Sequence, residues 1–116
     1  MERPIEQKLV LSWPPSVNGY WRCFRNRAVL SKAGRLYKQS APPPFSPYTD
    51  RDRLAVSIDF YPPTKRRLDL DNHAKACCDL LQHWRVFPDD SQIDELHLYR
   101  LDVEKPGRAE IRIKVL

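Results

Sequence analysis

The length, composition and charge of the chain exclude several classes of protein. Its 116 residues, 41% hydrophobic and 30% charged, predict one folded domain over residues 1–116 and argue against disorder or a second core. No apolar run reaches the roughly 18 residues that cross a bilayer, and the first residues lack the apolar region of a secretory signal. We therefore expect a cytoplasmic protein with no membrane partner. The net charge of +5 favours a polyanionic partner such as nucleic acid, although a solvated basic surface explains the charge equally well.

The first half of the chain predicts one strand and one short helix. Residues Lys8–Trp13 read as a strand that Pro14 and Pro15 end, and the following "PPSVNGYWRCFRNR" reads as a loop rich in turn residues. A short helix is expected from about Ser31, a favourable N-cap, to Gln39. The proline-rich "APPPFSP" then breaks the helix and predicts a stiff, extended connection.

The second half predicts a half-buried strand, an amphipathic helix and two final strands. Apolar and polar residues alternate over Leu54–Phe60, as they do in a strand with one buried face. A helical stripe follows, with spacings of three and four residues: Ala74, Cys77, Cys78, Leu81 and Trp84. Strands at about Glu95–Glu104 and Ala109–Leu116 are joined by "KPG", a hairpin-like turn. The order β-α-β-α-β-β predicts an α+β fold with two helices on a small mixed β-sheet.

The stretch "KRRLDLDNHAK" carries the residues with the clearest chemical potential. Asp69 and Asp71 are two apart in an extended approach to the helix, which places both side chains on one side, and Lys75 follows Asp71 by four residues. A second acidic pair, Asp89 and Asp90, comes after the helix. Several carboxylates meeting at one place suit Mg²⁺ or Mn²⁺, and neighbouring cations suit a phosphodiester backbone, which together predict metal-assisted phosphodiester hydrolysis. Sequence spacing leaves the distance between Asp71 and Asp90 open.

Each of these residues also has a purely structural interpretation. Asp71 fits the N-cap of the helix, and Asp71 with Lys75 fits an ordinary ion pair on one helix face. The Asp89–Asp90 pair fits a solvated turn after Pro88. A non-catalytic, basic DNA-binding module therefore remains an alternative, in which the acids only balance the cations and cap the helix.

Further candidates for DNA contact lie around this stretch and near the N-terminus. Asn72 suits orientation of a ligand carboxylate, contact with a phosphate, or helix capping equally well. Cations alternate with aromatic side chains in the early loop, where the aromatics either stack on exposed bases or pack the loop onto the core. The cations are Arg22, Arg25 and Arg27, and the aromatics are Tyr20, Trp21 and Phe24. The three cysteines form no CxxC pair, and Cys77 and Cys78 read as small core residues.

Three segments in this order, "SWPPSVNGYWR", "RRLDLDNHAKACCDLL" and "DDSQI", resemble the RusA family of Holliday-junction resolvases. The resemblance covers the chain from about Leu9 to Val115, with a helix before the second strand that "SAPPPFSPYTDRD" makes shorter than in the family. It implies that the family's essential acids correspond to Asp69, Asp71 and Asp90, and its essential lysine to Lys75. It also implies a Mg²⁺-dependent homodimer, of bacterial or phage origin, that nicks two opposing strands of a four-way DNA junction.

The resulting expectation is a metal-dependent endodeoxyribonuclease that resolves four-way junctions in DNA recombination and repair. Asp69, Asp71 and Asp90 would hold Mg²⁺, with Mn²⁺ as an alternative, and Lys75 would stabilise the transition state. DNA contacts are expected from Lys65, Arg66, Arg67, Asn72, Arg22, Arg25 and Arg27. A metal nuclease for other branched DNA is the alternative within the same chemistry.

Overall fold

The computed structural model describes residues 5–16, the backbone of residues 21–24 and 27–30, and residues 31–116. Its strands are β1 (Glu6–Ser12), β2 (Trp21–Phe24), β3 (Arg27–Leu30), β4 (Leu54–Tyr61), β5 (Ile93–Arg100) and β6 (Arg108–Val115). Its α-helices are α1 (Lys32–Lys38) and α2 (Leu70–His83), and a 3₁₀ turn spans Asp90–Gln92. Within these residues, no helix has the length and apolar character needed to pass through a bilayer.

Four strands form one mixed sheet in the order β1-β6-β4-β5. Strand β6 is antiparallel to both β1 and β4, whereas β4 and β5 are parallel. Parallel neighbours need a crossover connection, and α2 lies in the chain between β4 and β5 as that connection. The predicted α+β class and the order β-α-β-α-β-β are confirmed for this sheet and its two helices.

The predicted hairpin of the last two strands is wrong. Strands β5 and β6 lie on opposite sides of β4, so that Ile58 is aligned with Leu98 on one side and with Ile111 on the other. The reason lies in their burial: β6 buries alternate residues in the centre of the sheet, whereas β5 is largely exposed along its length. The strand whose apolar residues alternate regularly is therefore buried at the centre of the sheet, and this burial decides strand order against closeness in sequence.

The segment predicted as a loop after Pro15 contains two short strands. Strands β2 and β3 form a separate antiparallel pair, with Trp21 opposite Leu30 and Phe24 opposite Arg27. Four-residue strands give too short an alternation to be read reliably, and the interspersed arginines made the segment resemble a basic loop. The predicted helix at Ser31–Gln39 is confirmed, since the Ser31 side chain accepts a hydrogen bond from the Gly34 amide at 3.0 Å.

The core lies between the sheet and α2. The four predicted inward residues of β4, from Leu54 to Phe60, have 0% exposure. The helical stripe is also confirmed: Ala74, Cys77, Cys78 and Leu81 are buried, and Trp84 is partly buried against the core. Each fully buried large apolar side chain contributes about 1.5–3 kcal/mol, so this packing holds α2 firmly on the sheet. The N-terminus of α2, where the acidic residues lie, is thereby fixed relative to β4 and β5.

Candidate active site

Helix α2 begins with Leu70, and Asp69 occupies the N-cap position with φ −101° and ψ 99°. The side chain of Asp69 makes no capping hydrogen bond, although aspartate is among the residues most favoured for that role. Asp71 lies in the first helical turn. The predicted extended geometry is confirmed for Asp69 and wrong for Asp71, which is helical, and the alternative of Asp71 as the cap is also wrong. The Asp69 carboxylate therefore makes its contacts with other side chains and not with the helix backbone.

The two carboxyl groups of Asp69 and Asp71 nevertheless meet. A hydrogen bond with Asp71, and then the negative charge of Asp71, raise the pKa of Asp69 above its ordinary value, against a smaller opposing effect of Arg67. The Asn72 amide Nδ2 donates to Asp69 Oδ2 at 2.8 Å. Both aspartates are exposed. Two adjacent acidic groups that compete for a proton form a place where a cation is strongly favoured.

Asp71, Lys75 and Asp90 line one open pocket of about 300 Å³. The first two project from consecutive turns of α2, and the third comes from the turn after the helix. The remaining wall of the pocket is largely apolar and includes Ile93, Leu96 and Leu98 of β5. Sequence spacing did not settle whether Asp90 approaches the helix N-terminus, and the structure places it on the same pocket as Asp71.

Asp89 and Asp90 have different environments despite their adjacency. Asp89 Oδ1 accepts a hydrogen bond from the Ser91 amide at 3.0 Å, which lowers the pKa of Asp89, while its own amide donates to Gln92 Oε1 at 3.0 Å. The Asp89 side chain also accepts from the Gln92 amide, and this bond together with the bond to Gln92 Oε1 forms a capping box for the 3₁₀ turn. Asp89 thus stabilises the turn, whereas Asp90 lines the pocket.

The side chains around the pocket are of the type that binds a hard divalent ion, but they are not arranged as a complete ligand set. Among the residues that the structure describes, no three Asp, Glu, His or Cys side chains are grouped as a ligand set for a metal ion. The donors that line the site are nevertheless carboxylate oxygens, the ligand type that Mg²⁺ and Mn²⁺ prefer. Mg²⁺ is commonly bound by one or two carboxylates together with waters and substrate phosphates. The paired carboxyls of Asp69 and Asp71 meet that requirement, with Asp90 on the same pocket as Asp71.

The basic loop before α2 presents Lys65, Arg66 and Arg67, all of them exposed. The Arg100 guanidinium, on β5, donates from Nη2 to the Arg66 carbonyl at 3.1 Å. Arg100 therefore anchors the loop and adds a fourth cation beside it. No sequence signal pointed to Arg100, because the contact depends on β5 pairing alongside β4.

The remaining candidates are structural or fall outside the description. Burial raises the pKa of Cys78 to about 12 and also raises that of Cys77, so both thiols stay protonated at neutral pH. The His73 ring nitrogen Nδ1 lies 2.9 Å from the Pro14 carbonyl, and the ring packs on Trp13 with centroids 5.1 Å apart. Outside the described residues lie Tyr20, Arg25 and the side chains of Trp21, Arg22, Phe24 and Arg27.

The sequence of the chain is similar to proteins of one known family. The profile of a family described as Endodeoxyribonuclease RusA matches residues 12–114. A protein of Shigella sonnei named crossover junction endodeoxyribonuclease RusA is 33% identical over 109 residues, which cover 90% of this chain and 91% of the relative. The protein of the same name in Enterobacteria phage 82 has the same identity and coverage. That of Enterobacteria phage HK97 is 31% identical over 115 residues and 96% of both chains.

Proposed function

The chain belongs to the endodeoxyribonuclease RusA family, and from this membership we propose that it resolves four-way DNA junctions by paired phosphodiester hydrolysis in recombination and repair. The observation that carries the proposal is that Asp71, Lys75 and Asp90 border one pocket, beside the exposed carboxyl pair and the basic loop. A DNA-binding module without catalysis has no need for an acidic pair that makes no helix cap.

A nuclease of this family is expected to need a divalent metal ion, and we assign Mg²⁺, with Mn²⁺ as a substitute, to Asp69, Asp71 and Asp90. When bound, the ion supplies a polarised phosphoryl oxygen and a water of lowered pKa. The paired carboxyls of Asp69 and Asp71 would provide negative oxygens to the ion once the proton that they share is released, and Asn72 orients the Asp69 carboxylate. The Asp90 carboxyl comes to the pocket on a separate element, so it fixes the far side of the same site.

The cations bind the DNA backbone and stabilise the transition state. Lys75 lines the pocket and is exposed, which puts its ammonium group within reach of charge that develops on a phosphate oxygen there. The exposed Lys65, Arg66 and Arg67 hold the backbone on the acidic side of the site, where a metal ion offsets the repulsion between phosphate and carboxylate. Arginines 22, 25 and 27 are proposed to extend this backbone contact.

Replacing Asp69 by Asn tests the catalytic assignment. We expect nicking of a synthetic junction to fall by about 100-fold or more. Loss of an outer-shell partner lowers metal affinity or activity by about 10- to 100-fold, and loss of a residue that binds the metal directly should lower activity further. Junction binding should persist or tighten, since a negative charge near the phosphates disappears. Wild-type nicking should stop in EDTA and return with Mg²⁺.

The matched control is Asp102→Asn, which removes the same charge from an exposed residue after β5. It should nick at the wild-type rate. A wild-type protein that binds junctions and never nicks them, with or without Mg²⁺, would instead support the non-catalytic DNA-binding module.

A panel of substrates tests the specificity. A mobile four-way junction, a flap, a hairpin and a linear duplex of matched sequence are compared at equal concentration. Preference for the junction, with paired nicks in opposing strands, supports resolution. Equal cleavage of the flap and the junction would favour a metal nuclease for other branched DNA.

We propose further that a single domain, residues 1–116, works as a homodimer in the cytoplasm of a bacterium, from a bacterial or phage gene. Two cuts in opposing strands of a substrate with approximate two-fold symmetry are most simply made by two identical sites related by a two-fold axis. Sedimentation of the protein with and without junction DNA measures the subunit number. One subunit bound per junction during cleavage would rule out this arrangement.

A further inference from the structure

The turn that carries Asp90 is held by two glutamines whose roles the proposed mechanism leaves unassigned. Asp90 is the first residue of the 3₁₀ turn, a position whose backbone N–H has no acceptor within the turn itself. That N–H donates to the side-chain oxygen Oε1 of Gln82 at 3.0 Å. Gln82 is on the last turn of α2, eight residues earlier in the chain.

Gln82 continues a row of pocket residues along α2. Asp71, Lys75 and Cys78 line the pocket, and the next position at helical spacing is Gln82. One face of one helix therefore presents Asp71 directly and holds Asp90 through its backbone. Because α2 is packed on the sheet through fully buried residues such as Leu81, this face is rigid.

The other end of the turn is fixed by Gln92, which has 3% exposure. Its Nε2 donates to the Thr49 carbonyl at 2.7 Å and to the Asp52 carbonyl at 2.9 Å, while its Oε1 accepts from the Asp89 amide. The two bonds from Nε2 hold the turn against the segment before β4, and the bond to Oε1 closes the turn on itself. Gln92 is therefore part of the fold, and its replacement would disturb more than the position of Asp90.

We propose that Gln82 is a positioning residue for Asp90, and that α2 thereby sets the spacing of the acids on both sides of the pocket. The proposal rests on the proposed function, because Asp90 matters only if the pocket holds a divalent ion. Ligand groups need to be held within about 0.5 Å of their working geometry, and outer-shell partners supply that restraint. The exposed side chain of Asp90 shares a hydrogen bond with the Asp89 carboxyl, and the three-residue turn that carries both residues is held to α2 through the Asp90 backbone.

The test compares Gln82→Leu, which removes the acceptor while keeping a good helix former, with Gln82→Glu, which keeps an acceptor at the same reach. Amide exchange of Asp90, followed by NMR, should speed up about five- to tenfold in Gln82→Leu, the range expected from losing one net hydrogen bond. Mn²⁺ binding, followed by its paramagnetic resonance signal, should weaken about 10-fold, as when an outer-shell partner is removed. In Gln82→Glu, Asp90 exchange should stay within about twofold of wild type, and Mn²⁺ binding should be no weaker than in wild type, because the added negative charge attracts the ion.

Gln39→Leu is the matched control, because Gln39 is an exposed glutamine at the end of α1. It should leave exchange at Asp90 and Mn²⁺ binding unchanged, and thermal melting of all the variants shows that they are folded. Faster exchange without weaker Mn²⁺ binding would reduce Gln82 to a cap of the turn and overturn the proposal. Equal defects in Gln82→Leu and Gln82→Glu would overturn it as well, since the acceptor would then be irrelevant.

Junction cleavage gives a third readout that separates this inference from the proposed function. In Gln82→Leu, we expect the Mg²⁺ concentration for half-maximal nicking to rise about 10-fold while junction affinity stays constant. If the wild-type protein fails to nick any junction, the proposed function is wrong, and the exchange and Mn²⁺ measurements still decide the role of Gln82.

Discussion

The fold holds the carboxyl groups of Asp69 and Asp71 close together, so that their negative charges repel each other when both are ionised. The hydrogen bond and the charge of Asp71 raise the pKa of Asp69, which means that the folded state holds a proton more tightly than the unfolded state does. The pair therefore destabilises the fold once both carboxyls ionise. The destabilisation sets in as the pH rises above the ordinary aspartate value of 3.8 and is complete above the raised pKa.

This sign gives a pH-dependent prediction for Asp69→Asn. In EDTA at pH 7 the variant should have a modestly higher Tm than wild type, because one of the two repelling charges is gone. The gain should vanish below the ordinary aspartate pKa of 3.8, where the wild-type side chain is also neutral. Calorimetry of both proteins across pH 3 to 8 measures the Tm difference at pH 7 and its disappearance at low pH. A variant that melts below wild type at pH 7 would contradict the prediction.

At the scale of single residues, the sequence identified the acidic and basic candidates but not the glutamine side chain that hydrogen-bonds to one of them. Asp69, Asp71 and Lys75 were found because they follow a basic run, whereas the choice of Asp90 over Asp89 came from the resemblance to the RusA family. Gln82 gave no such signal, since a glutamine near a helix end is ordinary and its partner lies across a turn. The assigned roles of all these residues remain predictions for the experiments above.

Among the elements, the turn before β6 has the strictest sequence requirement. Gly107 has φ +91°, which L side chains rarely adopt, and its amide donates to the Glu104 carbonyl at 2.7 Å. A Cβ atom there would lie 2.9 Å from Pro63 Cδ and 3.1 Å from Trp13 Cβ. Both neighbours belong to stiff parts of the chain, so the backbone would have to move.

Gly107→Ala should lower the free energy of unfolding by about 2 kcal/mol or more, combining backbone strain with a steric clash. Urea denaturation measures the change. The control Lys105→Ala alters an exposed residue of the same turn and should stay within about 0.5 kcal/mol of wild type. A Gly107→Ala variant as stable as this control would show that the turn relaxes freely.

Elements with long, regular patterns were predicted from sequence, and those that depend on partners were not. The alternation in β4 and the stripe on α2 each follow from one buried face, which local sequence encodes. The placement of β6 between β1 and β4 depends on residues 47 to 108 positions away, and the turn at "KPG" says only that the chain reverses. The four-residue strands β2 and β3 were missed because so short a pattern is compatible with a loop.

At the scale of the whole molecule, the net charge of +5 predicts DNA affinity that falls steeply with salt. Lys65→Ala should reduce the slope of log K against log salt by about 1, the contribution of one phosphate contact. Lys114→Ala is the matched control, because Lys114 alternates with the buried Ile113 and so lies on the sheet face away from α2. Fluorescence anisotropy of a labelled junction measures both slopes. Equal reductions would show that affinity reflects total charge and not the basic loop.

The central position of β6 has a consequence for how the protein is made. Ile111 is aligned with Leu9 on one side and with Ile58 on the other, so β1 joins the β4–β5 pair only through residues 108–115. During translation the acids and the basic loop emerge before the strand that joins the two halves of the sheet. Such distant pairing slows folding, and it delays completion of the sheet, and with it any capacity to cut DNA, until β6 has emerged from the ribosome.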